Sequence, residues 1–407
     1  MIRYFRQKID FPSCLAVVLL ATAMTASAQS SAQRDFKEID ANIRIYPDNQ
    51  PINSQALVSE LISGLSDSTD RVRAIYVWIA KNISYDLAAY RFSGKESHPA
   101  DDILQTRKAI CSGYSLLFQR LCEIAGIEAV VIEGYAKGYG YKPFQKFLSS
   151  NHAWNAVFLD GEWHFVDVTW AAGLPREITG KTPAIDLDAY FFIPPEKLIK
   201  THLPEDPTWQ LQDKKISLTD FESGISNPDE ASKPTEEALM SPAELDEFDI
   251  DIIKYKRSLS FNQRNEGLRA RLSFAYVYKA ISMTDGLWKF SYIELVDRLP
   301  GMEKVFLAYL DSAQQVMNTS MYNIKDQKII GDEINFQKGV FYYELAANIF
   351  GKANKSQGVS AADRMLIDGF FTNAEGHFKA VPSESIYYPD AQKYLGNIAD
   401  YQMKKKG

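Results

Sequence analysis

At 407 residues the chain is longer than one hydrophobic core usually organises, so two domains are expected. Its 46% hydrophobic and 24% charged residues are ordinary for globular protein. A formal net charge of −7 argues against nucleic acid and anionic membrane surfaces as partners, and three cysteines are too few for a disulfide framework.

Residues 1–28 read as a secretory signal. Arg3, Arg6 and Lys8 charge its start, Cys14 to Met24 form an apolar run too short to span a bilayer comfortably, and Ala26-Ser27-Ala28 offers small residues for cleavage. Export to a bacterial periplasm or the extracellular space is therefore expected, with no membrane insertion after cleavage. Loss of that segment takes away Arg3, Arg6, Lys8 and Asp10, moves the net charge from −7 to −9, and leaves Cys111 and Cys122. These two lie on one predicted helix, about 16 Å apart along its axis, too far for a disulfide. A free thiol kept in an exported protein asks for a chemical reason.

Between Leu57 and Ile83 the apolar positions recur at helical spacing, with Val72, Ile75, Tyr76 and Ile79 as one stripe and Trp78 on its edge. A Ser/Gly/Pro loop at Ser93 to Pro99 precedes a second helix, which opens near Cys111, runs through Leu116, Leu117, Leu121 and Ile124, and stops at Gly126. Strand patterns follow at Glu128 to Tyr135 and, after a Gly/Tyr loop over Ala136 to Tyr141, at Asn151 to Thr169 as two strands joined at Asp160-Gly161. Pro175 to Trp209 is Pro-rich and irregular, with an aromatic knot at Tyr190-Phe191-Phe192 that packs back on the first domain.

The predicted division is a first domain over residues 29–211, a polar linker over 212–240 and a second domain over 241–407. Ser241-Pro242-Ala243-Glu244 combines a capping box with Pro at the first helical position. Beyond it the periodicity is helical at Leu268 to Ile281, Met302 to Met317, Glu333 to Phe350, Ala361 to Phe378 and Ser385 to Met403. No fixed repeat period emerges, so an α-helical bundle or a degenerate helical repeat is expected.

Thiol catalysis needs a cysteine of lowered pKa, a histidine to hold its proton and a group that fixes the imidazole. Cys111 opens a helix, where unpaired N–H groups and the dipole favour thiolate. A tight turn at Asp160-Gly161 pairs Phe158 with Trp163, Trp154 with Asp167 and His152 with Thr169. His152 and Asp167 are then diagonal neighbours on one sheet face, with Cα atoms about 7–8 Å apart. Trp154, on that same face, and Tyr139, in the Tyr-rich loop, are candidates for the substrate cleft, although a plain surface loop fits Tyr135 to Tyr141 equally well. Cys122 reads as core, and His164 falls on the opposite strand face. His98, His202 and His377 are too scattered to suggest a metal site, and no cysteine pair has zinc spacing, so neither metal nor organic cofactor is expected.

Ala109-Ile110-Cys111-Ser112-Gly113-Tyr114-Ser115, Ala125-Gly126-Ile127, Gly134-Tyr135, His152-Ala153-Trp154 and Trp163-His164-Phe165-Val166-Asp167-Val168-Thr169-Trp170 resemble the transglutaminase-like superfamily. The resemblance covers about Arg71 to Trp170. It implies an α+β papain/transglutaminase-like core, a Cys-bearing helix packed on an antiparallel sheet, here followed by an all-α helical domain. By resemblance Cys111 matches the nucleophile, His152 the base and Asp167 the third triad member, with Tyr85 as an oxyanion-hole candidate. The activity implied is acyl transfer or hydrolysis at peptide or isopeptide bonds through a thioester, with a peptide or protein as substrate. Some members have lost catalysis, so the alternative is a silent binding or scaffold protein whose helical domain holds a protein or glycan partner.

Overall fold

The computed structural model describes residues 34–47, 52–92, 99–181, 183–224, 245–319, 324–356 and 358–406. The expected signal segment, the capping box at 241–244 and most of the Ser93 to Pro99 loop, His98 included, lie outside the described residues.

The first domain is built around one helix, α1 (Ser68–Asn82), which Asp67 starts by accepting from the N–H groups of Thr69 and Asp70. The helical spacing from Leu57 to Ile83 belongs to two helices, because Gly64 turns the chain with φ +78° between Ser54–Leu61 and α1. A one-sided stripe was expected on α1, yet residues 72 to 80 are buried all round, Arg73 included. Its guanidinium is tolerated there because it donates to Asp40, Asp188 and the Leu187 carbonyl.

Two short parallel strands come next, β1 (Ser84–Tyr85) and β2 (Lys108–Ala109), and β2 leads into α2 (Cys111–Ile124). Gly126, at φ +73°, ends that helix region as expected. The sheet then forms from β3 (Ala129–Ala136), β4 (His152–Leu159), β5 (Glu162–Val166), β6 (Phe191–Ile193) and β7 (His202–Pro204), antiparallel throughout in the order β6-β5-β4-β3-β7. Asp160 and Gly161 both take positive φ, the two-residue turn that matches strand twist, and Phe158 pairs Trp163 as the turn predicts. Between β5 and β6 lies the four-residue helix α3 (Val168–Ala171).

The segment expected to be irregular thus supplies both edge strands. Three-residue strands are too short to show alternation, so only pairing with distant partners defines them. The aromatic knot does pack back, with the Phe191 ring 5.1 Å from Tyr76 and 5.3 Å from Phe36. α2 covers the opposite face of the sheet from Trp154, and Asn155 ties the two by donating to the Ser115 and Val130 carbonyls at 3.0 and 3.1 Å.

The first part of the stretch expected as a linker is folded. Residues 212–224 carry α4 (Leu218–Glu222), opened by a Ser217–Asp220 capping box and anchored by buried Leu218 and Phe221. Three apolar residues in a polar stretch, Ile216, Leu218 and Phe221, dock it.

The helical half comprises α5 (Glu247–Phe261), α6 (Glu266–Asp285), α7 (Tyr292–Asn318), α8 (Ile324–Ser356), α9 (Ala361–Lys379) and α10 (Tyr388–Lys406). Side chains of Asp246, Asn265, Ser291 and Ser360 cap α5, α6, α7 and α9. α7 begins ten residues before the expected Met302 and runs through Pro300, because Ser291 and Glu294 nucleate it upstream. A core including Phe306, Leu310, Phe341, Leu345 and Phe378 holds the bundle. No helix among the described residues is long and apolar enough to cross a membrane.

The two halves meet through polar contacts. Asn262 and Asn265 donate to the Tyr135 hydroxyl, Arg271 pairs with Glu205 at 2.6 Å and with Glu133, and Arg257 pairs with Asp206 at 2.5 Å. Glu205 and Asp206 are buried, and their charged partners Arg271 and Arg257 come from the helical half, with the Thr208 N–H also donating to Asp206.

Candidate active site

Cys111 is the first residue of α2. The first turn leaves the N–H groups of Cys111, Ser112 and Gly113 ahead of the first helical bond, from Tyr114 N–H to the Ile110 carbonyl. Parallel pairing of Tyr85 with Ala109 sets Tyr85 beside that turn, and the Tyr114 hydroxyl donates to the Ile83 carbonyl at 2.6 Å, fixing α2 to the chain that carries Tyr85.

His152 opens β4 opposite Gly134. Asp167 was expected to continue β5, with Thr169 beyond it pairing His152. The register holds as far as Asn155 and Val166; there the strand ends, and Asp167 caps α3 by accepting from the Trp170 N–H at 2.9 Å. Thr169 is helical, and the pairings of Trp154 with Asp167 and of His152 with Thr169 do not form. The departure turns the carboxylate toward the imidazole. Asp167 Oδ2 lies 2.7 Å from His152 Nε2, which leaves Nδ1 as the nitrogen available to Cys111.

Electrostatics follow from burial. Burial alone would raise the Asp167 carboxyl, but the charge and hydrogen bonds of His152 and His202 hold it far below the usual carboxylate range. Burial would likewise lower His152, yet Asp167 and Cys111 push it up to about 10. Cys111 is lowered: burial opposes ionisation, but hydrogen bonding and charge from His152 and the Ala153 backbone N–H outweigh it. The favoured ground state is a thiolate–imidazolium pair. Cys122, fully buried and close to the Glu123 carboxylate, is pushed the other way.

Residues 55–168 match the family model of the transglutaminase-like superfamily, a span that takes in Cys111, His152 and Asp167. This stretch is a transglutaminase-like domain. The chain is 38% identical over 198 residues to kyphoscoliosis peptidase of Mus musculus, covering 48% of this chain and 30% of that one. Hillarin of Drosophila melanogaster is 32% identical over 203 residues, covering 46% and 24%. The Lim and transglutaminase domain protein ltd-1 of Caenorhabditis elegans is 34% identical over 199 residues, covering 46% and 27%. The chain spans less than a third of the length of these relatives.

A cleft of about 900 Å³ opens beside His152, walled by Tyr85, Tyr139 and Tyr141 of the transglutaminase-like domain and by Trp170, Ile178 and Tyr190 just beyond it. Tyr139 is 71% exposed on its rim. The Tyr85 hydroxyl is raised by burial and by the nearby Cys111, so it stays protonated and able to donate. Trp154, expected in the cleft, is fully buried beneath the site with Ile132, Ala156 and Phe165. It packs there because Gly134 leaves room on β3: a Cβ at Gly134 would lie 2.5 Å from Trp154 Cη2 and 2.2 Å from the Leu203 carbonyl oxygen. Trp154 is therefore a floor under the imidazole, with ring centroids 6.0 Å apart.

His202, set aside as scattered, sits in the centre of the site. Its Nε2 lies 3.1 Å from Asp167 Oδ2, and its Nδ1 lies 2.8 Å from the Thr201 hydroxyl. No local signal marks it, because β7 reaches the site only by pairing β3 more than sixty residues upstream. His152, Asp167 and His202 bring three metal-ligating atoms within 4.8 Å of one another, but both nitrogen–oxygen contacts are ordinary hydrogen bonds, so a proton network accounts for the cluster. His164, on the other face as expected, stacks on Phe192 at 4.6 Å.

Proposed function

We propose that the chain is an exported cysteine-dependent acyl transferase or hydrolase acting on peptide or isopeptide amide bonds. The observation that carries this is the Cys111–His152–Asp167 arrangement, whose His152 lines an aromatic cleft, with the thiol lowered and the imidazole raised. The Cys111 thiolate attacks the amide carbonyl, forming a C–S bond. The oxyanion is met by the free N–H groups at the start of α2 and by the Tyr85 hydroxyl. Imidazolium then gives its proton to the departing amine as the C–N bond breaks, leaving a thioester. Water, or a second amine, attacks with His152 taking its proton, and the thiolate is restored. Asp167 keeps the ring oriented and its positive form favoured throughout.

The peptidase name of the mouse relative supports hydrolysis, and the leader-like residues 1–28 support export. Iodoacetamide labelling of the full chain, read by peptide mapping, tests the chemistry. Cys111 should label faster than an ordinary thiol near neutral pH, and His152→Ala should abolish the advantage. Labelling at the ordinary rate, indifferent to His152, would leave the silent scaffold as the better account. Peptide cleavage compared with primary-amine incorporation separates hydrolase from transferase, and a mature N-terminus at residue 29 after secretion tests export.

A further inference from the structure

We infer that His202 is a positioning residue of this site, donating its Nε2–H to Asp167 Oδ2 so that the carboxylate stays in place while the charge on His152 comes and goes. The inference deepens the proposed thiol chemistry and rests on it.

Asp167 is fully buried and accepts three donors: the Trp170 N–H on Oδ1, and His152 Nε2 and His202 Nε2 on Oδ2. During acyl transfer the first of the two imidazoles alternates between cation and neutral ring. A buried carboxylate held only by that partner would lose most of its compensation at each turnover. His202 is the constant donor. Its tautomer is set by Asp167, whose carboxylate can only accept from Nε2; Nδ1 then accepts from the Thr201 hydroxyl at 2.8 Å, nearer than that hydroxyl's other acceptor, the Leu198 carbonyl, at 3.4 Å. Burial, first, and the neighbouring His152 keep His202 lowered, and hence neutral, against the pull of Asp167. The titratable groups around it are Asp167 and His152, with Cys111 beyond; otherwise it meets the rings of Trp154 and Trp170 at 5.1 and 4.2 Å.

The placement of the ring is rigid for a reason found outside the transglutaminase-like stretch. β7 pairs β3 through Ala136, Tyr135 and Gly134, and the next two residues, Glu205 and Asp206, are gripped by Asn265, Arg271 and Arg257. The helical half thus holds the strand that delivers His202.

The test is iodoacetamide labelling of Cys111 in the full chain from about pH 4 to about pH 10, a window that contains both limbs of the ion pair. Wild type is compared with His202→Phe, His202→Gln and Thr201→Val, with near-ultraviolet circular dichroism and melting curves as fold controls. Phe keeps ring size but removes the donor; Gln returns one N–H. Removing one hydrogen bond to a buried charge should slow labelling at pH 6 roughly tenfold in the Phe variant. It should also narrow the reactive window from both sides. Gln should recover to within about threefold of wild type, and Thr201→Val should shift the profile in the same direction by less. A folded Phe variant with the wild-type profile overturns the inference. If Phe does not fold, a wild-type profile for Thr201→Val overturns it instead. Wild-type Cys111 labelling at an ordinary thiol rate overturns the proposed function and this inference together, whereas a reactive wild type indifferent to residues 201 and 202 removes the inference alone.

Discussion

His152 Nε2 meets Asp167 Oδ2 at 2.7 Å with side-chain exposures of 7% and 0%, so the imidazole and carboxylate share a proton away from water. One consequence concerns stability rather than rate. The folded chain moves a proton from Cys111 to His152, and this transfer takes up none from solvent.

Where the folded chain holds thiolate and imidazolium and the unfolded chain holds both groups neutral, folding exchanges no net proton, and stability should vary little with pH across that interval. Cys111→Ser removes the thiolate half of the balance. His152, raised in the folded state by Asp167, then contributes stability that is full below its unfolded value and is lost as pH rises through its folded value. Stability should fall with rising pH above 6.5 in this variant, with a limiting slope of about 1.4 kcal/mol per pH unit, and the melting temperature should fall with it. Thermal melts across that window check it; a slope equal to wild type would contradict the ion pair.

Tyr85 and the ion pair can be separated. Tyr85→Phe removes an oxyanion donor without touching the proton relay, so Cys111 alkylation should be unchanged, while acyl transfer from an activated ester substrate falls by roughly 10²-fold. Equal losses in both assays would assign Tyr85 to packing around the thiol.

Gly134→Ala places a methyl group against the Leu203 carbonyl, Pro204 Cα and the Trp154 ring, none of which yields cheaply. Overpacking of this kind costs about 1–3 kcal/mol, and the strain falls on the β3–β7 pairing that carries His202. Denaturant titration should show the loss, with reduced Cys111 labelling at temperatures where the variant is still folded.

Arg271→Ala leaves Glu205 buried at 5% exposure with Asn265 as its remaining side-chain donor. Breaking a buried pair costs about 3–5 kcal/mol, discounted here because Arg271 is 30% exposed. Urea unfolding should report a loss of about 2 kcal/mol, much of it recovered in Arg271→Ala combined with Glu205→Gln, which removes the orphaned charge. Unchanged stability in the single variant would mean the halves dock without this clamp.

Local chemistry was readable along the chain. Gly126, the Asp160-Gly161 turn, the apolar spacing of α2 and the periodicity from residue 268 onward each act over a few residues, so the presence of these helices, the end of α2 and the β4–β5 register follow from them. Cys111 at a helix start follows from the same short-range rules, whereas Asp167 reaches His152 from a helix cap and not from the diagonal strand position expected. Long-range placement was not readable. The burial of Trp154 depends on the missing side chain at Gly134, and that of Arg73 on carboxylates more than thirty residues before it and more than a hundred after it. Asp167 leaves its strand because helix α3 begins there, and α4 docks through Leu218 and Phe221.

The sequence by itself determined the thiol, its helix and the hairpin that brings it a base, because turn geometry and side-chain alternation are properties of neighbouring residues. Only the tertiary structure decided what stands behind the base. β7, three residues long and without a pattern of its own, takes its place from β3 on one side and from Arg257, Asn265 and Arg271 on the other, and its His202 becomes the second donor to Asp167. A hydrogen bond between side chains thirty-five residues apart has no local cause, and it exists only once the sheet and the helical half have both closed around it.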